Sequence, residues 1–248
     1  MSKQRKPLVS IIIPALNEEE YIGKTLKNVK EQDYDNLEVI VVDNGSEDRT
    51  KEIARKYADK IVVERKRGIA RARNAGARFA SGDILLFLDA DTLLEPEAVR
   101  EIAKAFRERC VVCVSLFLDC QGKWKYKLLY NLYSICTWLL SLIGYSRFPG
   151  GCLAVRRDVF LRIGGFDEGL YFYEDSDFCE RVSKLGRCRF LRKVHAYTSP
   201  RKFEKFGLLR FALFLIKTYL IFKFCRNGSS ILAELYLNSK PQNSPYSA

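Results

Sequence analysis

Apolar residues run almost unbroken through four short stretches of the N-terminal part of the chain: LVSIIIP at 8–14, LEVIVVD at 37–43, KIVVE at 60–64 and DILLFLD at 83–89. The segments between them are amphipathic, which predicts helices over 18–32, 48–57, 69–80 and 96–107. A strand with no polar face must be covered on both sides, so strands of this kind alternating with helices predict βα units around a mostly parallel sheet. In such sheets ligands gather at the carboxyl ends of the strands, where loops and helix N-termini converge. The polar residues at those ends are Asn17 and Glu18, then Asp43 and Asn44, then Asp89 and Asp91.

The second half begins near residue 110 with a strand, followed by a helical stretch over 123–145 and the loop RFPGGCLAVRRDVF. A turn containing GGFDEGLYFYEDSDFCERV and a last strand, RCRFLRKV, complete it. In the stretch over 123–145, Lys127, Asn131, Ser134 and Ser141 fall on one narrow helical stripe and leave a broad apolar face. A second apolar stretch, FGLLRFALFLIKTYLIFKF, is close to the roughly 20 residues that span a bilayer, but internal cations make spanning costly. An interfacial helix fits it better, with cations at headgroup level. The expected organisation is a main α/β domain over 1–200, with halves at about 8–109 and 110–200 and an apolar helical segment at 124–145. Amphipathic membrane-associated helices over 201–237 and a disordered tail over 238–248 follow.

Composition narrows the functional classes. The formal charge of +12 suits phosphate-bearing ligands, nucleic acid or an anionic membrane surface. The cations are dispersed except for a cluster beside the second apolar stretch, which favours a membrane surface over nucleic acid. No G-x-G-x-x-G follows the first strand, where PALNEEE stands instead, and this disfavours a dinucleotide oxidoreductase. The opening apolar run is too short for a signal peptide, so a cytoplasmic location at the inner face of the cell membrane is expected. Of eight cysteines, Cys110 and Cys113 form a C-x-x-C without a second pair, which reads as strand packing rather than a zinc site.

Asp89 and Asp91, two carboxylates one residue apart at a strand end, repel each other unless a cation lies between them. Hard oxygen ligands select Mg2+ or Mn2+, which keep open positions for substrate phosphates. The order of the surrounding motifs sharpens this. Across about residues 8–195 the chain resembles the GT-A fold glycosyltransferases of family 2. VSIIIPALNEEEYI, LEVIVVDNGSEDRT, GIARARNAGARFASGDILLFLDADTLLEP, FPGGCLAVRRDVFLRIGGFDE and YEDSDFCERVSKLG carry the resemblance.

The resemblance implies a nucleotide site lined by Pro14, Leu16 and Glu18, with Asp43 accepting a hydrogen bond from the base and Arg73 approaching the base or diphosphate. Asp89 and Asp91 match the family's metal-binding pair, Asp89 also lying on the nucleotide-sugar side. Asn44 stands where a second aspartate is usual. Asp175, preceded by Glu174, matches the general base that takes the acceptor hydroxyl's proton, with Asp177 as a competitor. Gly150 and Gly151 match a small-residue loop beside the acceptor, and His195, the only histidine, is a further metal candidate. The implied function is an inverting, metal-dependent transfer of a sugar from a UDP- or GDP-sugar to the hydroxyl of a sugar or lipid-linked acceptor. The alternatives are a polyprenyl-phosphate sugar synthase and a non-catalytic membrane-associated scaffold.

Overall fold

The structure, a computed structural model, describes residues 5–170, 172–201, 204 and 207. In chain order the elements are β1 (Val9–Ala15), α1 (Ile22–Lys30), β2 (Leu37–Asp43), α2 (Thr50–Ala54), β3 (Lys60–Val63), α3 (Ile69–Arg78), β4 (Ile84–Leu88), β5 (Leu93–Leu94), α4 (Ala98–Ala105), β6 (Val111–Cys120), α5 (Trp124–Leu142), β7 (Cys152–Arg156), α6 (Arg157–Arg162), α7 (Glu174–Ser183) and β8 (Arg187–Thr198). The second apolar stretch and the polar tail lie outside the described residues.

All eight strands join one sheet in the order β3-β2-β1-β4-β7-β6-β8-β5. Strands β3, β2, β1 and β4 are mutually parallel, as the βα alternation requires. Strand β7 then runs antiparallel to both β4 and β6, and β8 returns parallel to β6. The sequence reading places residues 152–156 in a loop. They form instead the central strand joining the two halves, and four of the five are buried.

The alternation of side chains along each strand divides the core in two. Ile11 and Ile13 of β1 face a cluster that includes Ile22 and Leu26 of α1 and Val99 and Ile102 of α4. Ile12 faces the opposite cluster with Ile40, Val42, Ala72 and Ala75, and with Phe160 and Phe178 of α6 and α7. Burying both faces is what continuous apolar strands need, and about 25 cal/mol per Å² of apolar surface removed from water makes this the main driving force of the fold. Cys113 lies in the second cluster and Cys110 at the surface, both as free thiols.

The register explains where the sheet opens. Pairing of β1 with β4 ends at Ile12 and Phe87, whereas β1 remains paired with β2 as far as Ala15 and Asp43. Beyond the Ile12–Phe87 rung Pro14, which has no N–H to offer, stays with β2 opposite Val42 as β1 leaves β4. A crevice therefore forms between the carboxyl ends of β1 and β4, at the reversal of strand order.

Helix α5 turns its polar stripe toward the sheet at Ser134. That residue is buried, and its Oγ accepts from the N–H (3.0 Å) and donates to the carbonyl (2.7 Å) of Leu118 in β6. The opposite face, with Leu128, Leu132, Ile135, Leu139 and Leu142, is exposed. The 19-residue helix is held to the sheet by inward hydrogen bonds and presents its broad apolar face outward.

Helix α3 packs closely on β1 and β2 because Gly76 has no side chain. A Cβ there would lie 2.4 Å from Ile12 Cγ2 and 2.9 Å from Val42 Cγ2. Gly76→Ala is expected to lower stability by about 2 kcal/mol through this overlap, measured by urea unfolding. An unchanged midpoint would show that α3 can lift without penalty.

Candidate active site

The strand-end loops after β1 and β2 are stitched together before they can hold a ligand. Asn17 N–H donates to Ser46 Oγ, and its own Oδ1 accepts from Glu47 N–H. The Glu18 N–H donates to Thr50 Oγ1 at 2.7 Å, and the Glu19 N–H to Asp48. Asp43, buried at the end of β2, accepts from Ser46 N–H through Oδ1. Asn44 spans the next loop, donating to the carbonyls of Glu64 and Lys66 and accepting from Gly68 N–H at the start of α3. An aspartate could make only the last of these bonds, which gives Asn44 a structural reason for its identity. Pro14 is the penultimate residue of β1, and Leu16 lies half-buried just beyond the strand.

The backbone is strained on both sides of the crevice. The two described non-glycine residues with positive φ are Asn17, at 53°, and Tyr173, at 61°. They precede Glu18 and Glu174 in the chain. Asparagine tolerates this region, but for tyrosine it costs about 1–3 kcal/mol and persists only because the surroundings enforce it.

Arg73 gathers the carboxylates. It projects from α3, is buried to 3 % exposure, and donates through Nη1 to Glu174 Oε1 at 2.7 Å. Its Nη2 donates to the carbonyl of Gly150 at 3.1 Å and to Asp89 Oδ1 at 3.4 Å. The guanidinium also lies over the Phe166 ring at 5.3 Å. Glycine is required beside it: a Cβ on Gly150 would come within 2.6 Å of Nη2, and one on Gly151 within 3.3 Å of Asp89 Oδ2. The Gly150 N–H donates to Asp175 Oδ2 at 2.8 Å. One loop therefore ties Arg73, Asp89 and Asp175 to one another.

Asp89 and Asp91 differ in setting. The Asp89 side chain is 31 % exposed, whereas Asp91 is buried to 8 %. Ala90 between them belongs to the core, and its carbonyl accepts from Thr25 Oγ1 of α1 at 2.7 Å. That anchoring accounts for the small residue between the two acids. Asp91 Oδ2 is ion-paired with Arg201 Nε at 2.9 Å, and the same guanidinium forks onto both oxygens of Glu18 at 2.7 and 2.6 Å. Arg201, three residues past β8, escaped the sequence reading. It is one of several cations in SPRKFEKF, and no periodicity distinguishes it.

His195 is not brought into this cluster. Its ring stacks on Phe117 with centroids 4.7 Å apart, and its backbone N–H donates to Glu95 Oε2 at 2.9 Å. Among the described residues no three His, Cys, Asp or Glu side chains group as a metal-binding set. Asp177, the competing base, is committed to Arg181 at 2.7 Å.

With this geometry in hand, comparison with known proteins is decisive. The family model for glycosyl transferase family 2 matches residues 10–164. The chain belongs to glycosyl transferase family 2. A second model, the N-terminal domain of galactosyltransferase, matches residues 141–203. An uncharacterized glycosyltransferase of Rickettsia typhi is 31 % identical over 199 residues, covering 76 % of this chain and 62 % of its own. Glycosyltransferase AglE of Haloferax volcanii is 46 % identical over 93 residues, covering 34 % and 31 %. The chain spans less than two thirds of the length of either relative.

Among solved structures, the Pyrobaculum calidifontis mannosyltransferase PcManGT, in complex with GDP-Man and Mn2+, superposes with a TM-score of 0.68 at 26 % identity. That match covers 88 % of this chain and 63 % of the other. S. aureus TarS with UDP-GlcNAc shares the fold at a TM-score of 0.65 and 23 % identity, covering 77 % of this chain and 58 % of its own. The mixed sheet is thus the GT-A fold of this glycosyltransferase family.

Two expectations follow for the family 2 site. Gly150→Ala should push the loop off Arg73 and cost about 1–3 kcal/mol, read by thermal unfolding, and a wild-type transition would show slack around the guanidinium. The Glu174 carboxyl is held above its ordinary value of 4.5, first by burial and then by the Asp175 charge, while Arg73 pulls it down. A raised folded value means that the native state binds the extra proton. This contribution to stability is complete below the unfolded value and is lost as pH rises through the folded one. Urea unfolding should show wild-type stability falling with rising pH above 4.5 relative to Glu174→Gln; parallel profiles would rule this titration out.

Proposed function

We propose that the chain is an inverting, metal-dependent glycosyltransferase that takes a sugar from a UDP- or GDP-sugar and passes it to a hydroxyl acceptor presented at a membrane. The observation that carries this reading is the arrangement of Asp89 and Asp175 on opposite sides of one glycine loop, joined to it through Gly151 and Gly150. The donor class is supported by the GDP-Man and UDP-GlcNAc bound to the structural neighbours, and the metal by the Mn2+ in one of them.

The donor set suits such an ion. Glu18, Asp89 and Asp91 bring hard carboxylate oxygens to one end of the sheet, and Mg2+ or Mn2+ typically takes one or two carboxylates plus substrate phosphates. An ion held by Asp89 and Asp91 would supply Lewis-acid stabilisation of the charge that develops on the departing diphosphate. Pro14, Leu16 and Asp43 are suited to the nucleoside end, because Asp43 lies buried beside β1 with its carboxylate at the crevice-forming strand end. Arg73 touches the reacting region through its partners Asp89 and Glu174 and fixes their separation.

The chain's own chemistry on the acceptor is proton removal. Asp175, positioned by the Gly150 N–H, is the carboxylate suited to accept the hydroxyl proton while that oxygen attacks the anomeric carbon from the face opposite the diphosphate. Asp177 is less suited because Arg181 occupies it. One direct displacement inverts the anomeric configuration.

The membrane reading rests on α5. Trp124, Leu142 and Ile143 are 76, 65 and 78 % exposed, and with the outward leucines they form an apolar face flanked by Lys123, Lys125 and Lys127. Such a face suits the headgroup boundary of an anionic, cytoplasmic leaflet, where a lipid-linked acceptor would be presented. Among the described residues no helix is long and apolar enough to cross a membrane.

Isothermal titration with UDP and with GDP, each with Mn2+ or EDTA, should show metal-dependent binding of one nucleotide, weakened more than about tenfold by Asp91→Asn. Asp175→Asn should bind that nucleotide normally and lose about 100-fold or more in transfer rate. Near-full activity of Asp175→Asn would exclude it as the base and favour a phosphate acceptor, which has no proton to give up.

A further inference from the structure

Arg201 is fully committed to two site carboxylates. Two of its nitrogens fork onto both oxygens of Glu18, Nε is ion-paired with Asp91 Oδ2 at 2.9 Å, and its Cζ lies 4.6 Å over the ring of Tyr21. The Glu18 and Asp91 side chains are 10 and 6 % exposed, while the Arg201 side chain, at 28 %, reaches in from the surface. A guanidinium in this position offsets the desolvation of two buried acids that also repel each other and Asp89.

A divalent ion on Asp91 would bind within about 2.0–2.2 Å of a carboxylate oxygen. Arg201 Nε already lies 2.9 Å from Oδ2 of that carboxylate. Both cations on one carboxylate would stand within a few ångströms of each other in a partly dry site, where repulsion is weakly screened. Arg201 sits three residues past the last strand, its backbone N–H donates to Ser199 Oγ at 3.3 Å, and its side chain is the most exposed of the three that meet here.

We propose that Arg201 is the resident counter-ion of Glu18 and Asp91 before the donor binds, that the divalent ion displaces it from Asp91, and that the released guanidinium then grips the donor diphosphate. This inference rests on the metal reading given above. The bidentate fork that now matches the Glu18 carboxylate matches phosphate oxygens equally well. The consequence is coupling. Metal alone binds weakly because it must evict Arg201, and metal with a nucleotide diphosphate binds strongly because the evicted cation gains a partner.

The test is a titration of the full chain with Mn2+, followed by the electron paramagnetic resonance of the free ion, with and without UDP or GDP. Arg201→Gln is expected to bind Mn2+ alone about tenfold tighter than wild type, yet to bind the nucleotide in the presence of Mn2+ about tenfold more weakly. Arg201→Lys, which keeps the charge and loses the fork, should retain the wild-type metal affinity and show the nucleotide defect. A variant that was merely misfolded would lose both affinities. If wild type binds Mn2+ in a manner abolished by Asp91→Asn, but Arg201→Gln leaves metal affinity unchanged or weaker, the counter-ion role is overturned and the metal reading stands. If no variant takes up Mn2+ with either nucleotide, both fall together.

Discussion

The architecture of the site depends on one buried cation. Arg73 sits on α3 in the N-terminal half, and its partners come from the loop after β4, from the loop before β7 and from the first turn of α7. A guanidinium cannot shed its proton, so burying it obliges the fold to supply negative partners at fixed positions. Those partners, Asp89, Glu174 and the Gly150 carbonyl, belong to the two sides of the crevice. The need to neutralise Arg73 thus sets how far Asp89 stands from Glu174 and the Gly150 loop.

A second cation repeats this arrangement at the edge. Arg73 is enclosed and permanent, held under the Gly150 loop, whereas Arg201 enters from a terminal segment and remains partly exposed. The contrast separates the interaction that builds the site from the one that can be exchanged on binding. The strained Asn17 and Tyr173 lie next in sequence to Glu18 and Glu174, the glutamates paired with these two arginines. The local backbone cost is offset by the ion pairs it makes possible.

Much of this was legible in the sequence, and for physical reasons. Continuous Val, Ile and Leu runs ending in Asp43 and Asp89 can only be doubly covered strands presenting acids at their carboxyl ends, and the structure has them so. Strand β7 was hidden because its five residues lie between glycines and arginines, which read as a loop; its pairing with both β4 and β6 is a tertiary decision. The polar stripe of α5 was legible, but the direction it faces was not: the Ser134 hydroxyl turns to β6, where it accepts from the N–H and donates to the carbonyl of Leu118. Arg201 could not be picked out because a lone arginine among lysines acquires meaning only when the chain folds Glu18 and Asp91 around it. The glycines of FPGG were expected to admit a sugar. They are also needed so that the loop can rest against Arg73 and Asp89.

The central claim, that Arg73 and Glu174 form the tie that spaces the two halves of the site, is tested most directly by a double-mutant cycle. Arg73→Met, Glu174→Gln and the double variant would be compared with wild type by urea unfolding at one pH. The account predicts a coupling of about 2 kcal/mol or more, each single variant leaving a buried, unmatched group that the double variant removes. Additive effects would contradict it, because the two side chains would then be neighbours that do not hold the site together.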